Sequence, residues 1–338
     1  MAAEAREAPA RIAEQTQRNA ALMETLAAGL RRFDPLFIAT CARGSSDHAA
    51  AYAKYLFETR LGLATASFAP SVASVYGARV RLDRALFVSI SQSGQSPDLV
   101  RAAEMAKAAG ARVVAIVNVI DSPLARAADV VVPLHAGAET SVAATKSCLG
   151  SMAAAFHLCA AWRADRAMST ALAGLPAQLD DASGADWSAA IDAFVEARQA
   201  VVVSRGLGLA AAQVAARKLN ETCRIQAEAS SAAEVRHGPM AIVGPGVPTL
   251  AAATGDAANE SVVDAARRFA ERDARVFFAG PDSAPDGATF LPTPPAPAGD
   301  LQPLVFLQAF YLFANRISLA RGLDPDKPNG LRKVTRTI

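Results

Sequence analysis

Three groups of side chains have types and spacing suited to chemistry. The run Ser91-Gln92-Ser93-Gly94-Gln95-Ser96 gathers three hydroxyls around a glycine, directly after an apolar run and directly before Pro97-Asp98. Proline followed by an acidic residue opens helices. Hydroxyls beside the unpaired N–H groups of a helix N-terminus make a neutral phosphate cradle, and glycine lets the backbone approach the ligand. Gly44-Ser45-Ser46 follows an earlier apolar run in the same manner. An ordinary Ser-rich turn with a helix N-cap has the same appearance. The loop lacks the Gly-Lys-Ser/Thr ending of a Walker A motif. Arg205-Gly206-Leu207-Gly208 is a partial dinucleotide pattern that a tight turn explains equally well.

The second group is Lys218, Glu221 and Arg224, three apart along one predicted helix, followed by Glu234-Val235-Arg236-His237-Gly238-Pro239. A carboxylate can shuttle a proton between adjacent carbons. A charge triplet is also what a solvated helix face carries, and a lone His is more often structural than catalytic. His237 precedes Gly-Pro, which holds it at a helix or turn boundary. Between Glu221 and His237 lie small residues, 227–233, that leave room for a ligand. The third group is Lys333, in a Pro/Gly-rich stretch after the last helix: a frayed basic tail, or an extended segment laid over a site. Four scattered cysteines (Cys41, Cys148, Cys159, Cys223) without a Cys-x-x-Cys pair, and only four His, give no convincing metal-ligand set.

The elements that must position these groups alternate. Apolar strands at 36–40, 85–90, 112–118 and 130–134 are separated by helical runs. The pattern restarts at 200–203, 248–253 and 275–280, with the Pro-rich 291–297 as a fourth strand and its exit, and a last helix over 301–321. This predicts an α/β protein: two copies of a three-layer αβα domain, flavodoxin-like, each a parallel sheet flanked by helices. The expected divisions are a helix over 1–30, domains over 31–165 and 190–325, a connector over 164–187, and a tail from 326. At the loop matching 91–96 the second copy reads Ala253-Thr254-Gly255-Asp256-Ala257-Ala258, poorer in hydroxyls, which assigns it scaffold and acid–base residues.

The 338 residues are 52% hydrophobic, and 34 basic residues nearly balance 32 acidic ones. That excludes wholesale disorder and offers no basic field for nucleic acid. The apolar run 147–162 is 16 residues, short for a bilayer span. The acidic residues near Met1 argue against a signal peptide. A cytoplasmic protein with no membrane partner is expected.

On Ser91-Gln92-Ser93-Gly94, Glu139-Thr140-Ser141-Val142-Ala143-Ala144-Thr145-Lys146, Ala227-Glu228, Glu234-Val235-Arg236-His237-Gly238-Pro239, and Asp326-Lys327-Pro328 with Lys333, the chain resembles the tandem sugar isomerase (SIS) family over nearly its whole length. It is most similar to the isomerase half of glutamine–fructose-6-phosphate aminotransferases, with stand-alone SIS-type deaminases as relatives. The resemblance implies a hexose or amino-sugar 6-phosphate substrate and no cofactor. Gly44, Ser45, Ser46, Ser91, Gln92, Ser93 and Ser96 would bind the phosphate and hydroxyls, and the backbone at Val142 and Ala143 would line the sugar. Glu221 would move a proton between C1 and C2, with Lys218 in support. His237 would assist ring opening from a neighbouring subunit, making a homodimer, and Lys333 would engage the open-chain sugar.

The sequence departs from the synthases in three places. Ala2 stands where their glutaminase has its nucleophilic cysteine, with about one helix before the first strand. Their Cys-Gly-Thr-Ser loop reads Arg43-Gly44-Ser45-Ser46, and Asn220 replaces a lysine before the glutamate. The resemblance therefore implies a deaminase that converts glucosamine 6-phosphate to fructose 6-phosphate and ammonia. A fructosamine-6-phosphate deglycase, a galactosamine-6-phosphate deaminase, a plain aldose–ketose isomerase and a non-catalytic sugar-phosphate sensor stand as alternatives.

Overall fold

Val-, Ile- and Ala-rich runs too apolar to face water on either side form the central strands of two five-stranded, all-parallel sheets. The computed structural model describes residues 1–333. In chain order the elements are α1 (Ala2–Phe33), β1 (Phe37–Ala42), α2 (Ser45–Leu61), β2 (Thr65–Ser67), α3 (Ser71–Ser74), β3 (Ala85–Ser91), α4 (Pro97–Ala108), β4 (Arg112–Val117), α5 (Pro123–Ala127), β5 (Val130–Pro133) and α6 (Lys146–Arg163). There follow α7 (Arg166–Ala182), α8 (Ser188–Glu196), β6 (Gln199–Ser204), α9 (Leu207–Cys223), β7 (Gln226–Ser231), β8 (Pro248–Ala252), α10 (Asn259–Ala270), β9 (Arg275–Gly280), β10 (Ala288–Pro292) and α11 (Gln302–Ala320).

The two sheets have one winding. The first runs β2-β1-β3-β4-β5; the second, read from its far end, runs β7-β6-β8-β9-β10. Each therefore reverses its strand order beside its first strand, between β1 and β3 and between β6 and β8. The helix-opening glycines repeat as well: Gly44 has φ 62° and ψ −136°, Gly206 φ 58° and ψ −130°. The duplication read from the sequence is present in topology and in backbone angles.

The chain divides into two compact units, each discontinuous. The unit carrying the hydroxyl loops comprises Ala10–Glu139, Lys146–Ala173 and the described residues 332–333; the unit carrying Glu221 comprises Met1–Pro9, Thr140–Thr145 and Gly174–Leu331. Between β3 and α4, the hydroxyl-loop unit packs Phe87 against small residues, Ala102, Ala103 and Ala106 among them. The Glu221 unit concentrates aromatic rings: Trp187 lies 5.4 Å from Phe313, Phe194 lies 5.3 Å from Phe313, and the Trp187 indole N–H donates to the Pro292 carbonyl.

Two local features go beyond the sequence reading. The stretch 164–187, expected as a connector, is largely helix, and the boundary between the two units at Ala173/Gly174 falls within it. Met168, Ala171, Leu172, Leu175, Leu179 and Ala182 are buried at helical spacing along α7, a period its polar composition hides. The edge strands β2 and β7 were not anticipated: β2 has three residues, and β7 alternates exposed polar and half-covered small side chains. The run 147–162 lies in the buried helix α6, as expected; among the described residues Gly299–Ala320 is long and apolar enough to cross a membrane, and 72% of its apolar 18-residue window is buried inside the protein.

Candidate active site

In the hydroxyl-loop unit the strand order reverses between β1 and β3, and in open parallel sheets ligands bind at the carboxyl ends of strands at such a point. Both predicted loops leave these strands there. Gly44, left-handed and without a side chain, opens α2, so no side chain caps the helix where Ser45 and Ser46 begin it. After β3, the Ser91 hydroxyl accepts the Gly94 amide at 3.0 Å and the Ser93 hydroxyl accepts the Gln95 amide at 3.3 Å. Ser96 opens α4 in an extended conformation without using its hydroxyl as a cap, and Pro97 follows at the first helical position. Gly94 has φ 61°, and a Cβ there would meet the Ser122 hydroxyl. Both loops thus present hydroxyls at helix N-termini, where backbone dipoles favour an anion.

Sequence reasoning passed over Arg43. Its Nε and Nη2 donate to Asp98 Oδ2 at 2.8 and 2.7 Å, while Asp98 is buried in the first turn of α4. The guanidinium thereby ties the end of β1 to the start of α4 and adds a cation beside the cradle. Its signal was the substitution in the Arg43-Gly44-Ser45-Ser46 loop itself.

Also in this unit, Lys333 Nζ lies 3.2 Å from Glu139 Oε2, and the Glu139 side chain is wholly buried. Glu139 Oε1 accepts the Ser147 amide at 3.2 Å, and Oε2 accepts the Ser147 hydroxyl at 2.5 Å.

In the Glu221 unit, α9 sets Lys218 and Glu221 one turn apart on one face. Lys218 is wholly buried, and its Nζ donates to Glu221 Oε2 at 2.6 Å. Arg217 Nη1 stands 3.7 Å from Glu221 Oε1, a second cation the sequence reading left out. Arg224 is not the third member of that face. It ends the helix in the left-handed region (φ 53°, ψ 40°), turning the chain into β7. Glu221, Asn220 and Arg224 line a cleft of about 370 Å³ with Asp324, Lys327 and Asn329.

Val142 and Ala143 belong to this unit. The Val142 amide donates to the Asp326 carbonyl at 3.0 Å, and the Ser141 hydroxyl donates to Asp326 Oδ1 at 2.8 Å. Glu4 fastens the same loop: burial disfavours its carboxylate, but hydrogen bonds from the Thr140 and Ser141 amides and the Thr140 hydroxyl outweigh this and hold its pKa below the usual range. His237 is exposed at the end of a 3-10 turn (Glu234–His237) and is not part of the Glu221 cleft. The neighbouring Arg236 anchors that turn to Asp264 of α10.

The second copy handles its equivalent loop differently. After β8, Asp256 Oδ1 accepts the Ala258 amide at 2.9 Å and the Thr254 hydroxyl at 2.6 Å. The chain supplies its own carboxylate to this turn. Among the described residues, no three His, Cys, Asp or Glu side chains gather where a metal ion could be held.

A family model described as the SIS domain matches residues 37–160 and 193–278. The glutamine–fructose-6-phosphate aminotransferase (isomerizing) of Methanothermobacter thermautotrophicus is 33% identical over 300 residues, covering 86% of this chain and 50% of that protein. The chain spans about half the length of the curated relatives it matches. A solved structure from Silicibacter pomeroyi DSS-3, provisionally named a phosphosugar isomerase, is 41% identical, with a TM-score of 0.92 over 96% of this chain and 99% of that one. Glucosamine-6-phosphate deaminase from Thermotoga maritima shares the fold at 19% identity, with a TM-score of 0.73 over 98% of this chain and 100% of that one.

Proposed function

Because the chain belongs to the SIS domain family, we propose that it is an amino-sugar-phosphate isomerase that releases ammonia, converting glucosamine 6-phosphate and water to fructose 6-phosphate and ammonia. The Ser45-Ser46 and Ser91–Ser96 loops take the phosphate. Glu221 removes the proton from C2 of the open-chain amino aldehyde, and the electron pair moves to give an enolamine. The same carboxyl returns the proton at C1, while O1 gains a proton and the amino nitrogen gives one up, leaving a ketimine at C2. Water adds to the imine carbon, the C–N bond breaks, and ammonia leaves. Lys218 offsets the charge that Glu221 gains and loses, and Lys333 meets the open-chain sugar. His237 assists ring opening from a second copy of the chain.

The observation that carries this reading is the buried Lys218 ammonium held 2.6 Å from a carboxylate that lines an open cleft. A proton acceptor with its counter-ion fixed at hydrogen-bond distance is what transfer between adjacent carbons requires. Support for the amino group comes from the aminotransferase relative, whose isomerase half is the part that aligns. The exposure of His237, outside its own chain's Glu221 cleft, supports a contribution from a partner copy.

The test is ammonia release from the purified chain across glucosamine 6-phosphate, galactosamine 6-phosphate and fructosamine 6-phosphate conjugates. Turnover of glucosamine 6-phosphate with stoichiometric fructose 6-phosphate is expected. Release of a free amino acid from a conjugate, with glucosamine 6-phosphate untouched, would replace the reading with deglycation. Activity in a strictly monomeric species would overturn the role given to His237.

A further inference from the structure

We propose that Glu139 is the positioning residue for Lys333: a buried carboxylate at the start of α6 that fixes the lysine ammonium where the substrate meets it. The inference rests on the role for Lys333 given above and adds a residue to which that reading assigns nothing.

A free lysine is a poor tool for addressing one atom of a sugar. Its four-carbon stem carries about 2 kcal/mol of rotamer entropy, which must be lost each time the ammonium is used. Lys333 has a built partner instead. Its Nζ lies 3.2 Å from Glu139 Oε2, and its side chain is 23% exposed against 0% for the glutamate.

The partner is itself immobilised. The Ser147 amide and hydroxyl hold the two oxygens of Glu139 separately. Ser147 is the second residue of α6, so the carboxylate also sits at the positive pole of an 18-residue helix. Capping that helix needs only one acceptor oxygen. The second oxygen is shared between the Ser147 hydroxyl and a lysine 194 positions away in sequence. A cap alone gives no reason for that long-range partner. A carboxylate serving as a fixed reference point for an amine does: α6 and Ser147 hold Glu139, Glu139 holds Lys333, and Lys333 is left one orientation to offer.

The experiment compares Glu139→Gln, Glu139→Asp, Lys333→Met, the double variant Glu139→Gln/Lys333→Met, and Ser147→Ala. Glutamine keeps an acceptor for the Ser147 amide and removes the charge. Misplacement of a substrate-positioning group by about 1 Å costs on the order of 100-fold in rate. The expected result is therefore a kcat for Glu139→Gln about 100-fold lower, with KM moving less than about threefold. Glu139→Asp should recover part of the loss. The double variant should be no slower than Lys333→Met alone, because the two residues act as one unit. A purely capping glutamate predicts a different pattern: melting temperatures that fall in Glu139→Gln and Ser147→Ala alike, with the kcat of Glu139→Gln untouched. That outcome overturns the proposal.

A second readout needs no substrate. Trace acetylation with acetic anhydride, followed by peptide mass spectrometry, measures Lys333 directly, and an ion-paired, largely covered amine reacts slowly. Labelling of Lys333 should rise several-fold in Glu139→Gln; an unchanged rate overturns the pairing whatever the substrate is. Increased labelling, in a protein whose wild-type form turns over no amino-sugar phosphate, upholds the pairing and overturns only the function read for the lysine.

Discussion

Lys218 is wholly buried, and Glu221 Oε2 stands 2.6 Å from its Nζ. A buried ammonium with one close carboxylate is stable only while that carboxylate is charged or strongly hydrogen-bonded. Glu221→Gln should therefore do two separable things. Turnover should fall by about 10²- to 10⁴-fold, the usual contribution of a general acid–base group, while fructose 6-phosphate binding measured by calorimetry stays within about threefold. The melting temperature should fall as well, since the cation left behind costs up to about 3 kcal/mol. Unchanged turnover would remove Glu221 from the mechanism. Lys218 and Glu221 were readable as a pair because one helical turn joins them. Arg43 and Glu139 were not, because Asp98 lies 55 residues from the first and Lys333 lies 194 from the second. Only the fold makes those residues neighbours.

The two sheets offer matched loops with different contents, and a pair of glycines separates conformation from packing. Gly94 and Gly255 both have positive φ, at 61° and 67°. A Cβ on Gly94 would stand 2.0 Å from the Ser122 hydroxyl oxygen, whereas one on Gly255 would meet Gln302 at an ordinary 3.4 Å. Gly255→Ala should thus show backbone strain alone, about 1–2 kcal/mol. Gly94→Ala adds overpacking, for a total of about 2–4 kcal/mol, with weakened binding of fructose 6-phosphate. Urea denaturation of both variants checks this; equal losses would mean that the Ser122 contact relaxes freely. At this scale the central strands and main helices were legible from apolar runs bounded by Gly, Ser and Pro. The edge strands were not. β7 reads Gln-Ala-Glu-Ala-Ser-Ser, with no β-branched residue, and forms through pairing with β6. Asp256 was visible in the sequence, but its use as the carboxylate that fills its own turn was not.

For the molecule as a whole, the repeated winding was legible because each copy writes its strands in the same order. The composition of the two units was not, since no periodicity marks residues 1–9 or 140–145 as belonging with the later sheet. The acid sensitivity of the fold has a definite direction. His157, on the buried helix α6, has its pKa pushed down to about 4 by burial. The unfolded chain takes up this proton near pH 6.5, so stability is complete above that value and is lost as pH falls from about 6.5 to about 4. Between pH 7 and pH 5 the loss from this one group is about 2 kcal/mol. His157→Gln should flatten that part of the stability–pH curve in chemical denaturation, and a curve identical to wild type would exclude His157 as its cause. His135 is shifted the same way by burial and adds to the same window.

The discontinuous make-up of the units also sets a schedule for synthesis. The Glu221 unit uses Met1–Pro9, and Gln308 Nε2 donates to the Ala5 carbonyl across 303 positions of chain. Residues 1–9 are therefore synthesised long before α11, which they must await. The hydroxyl-loop unit, in turn, receives Lys333 only after the whole Glu221 unit has been made. Neither unit can be finished before the other is almost complete. A single cut at Ala173/Gly174, where the large segments of the two units meet in sequence, therefore leaves one fragment without Lys333 and the other without residues 1–9 and 140–145.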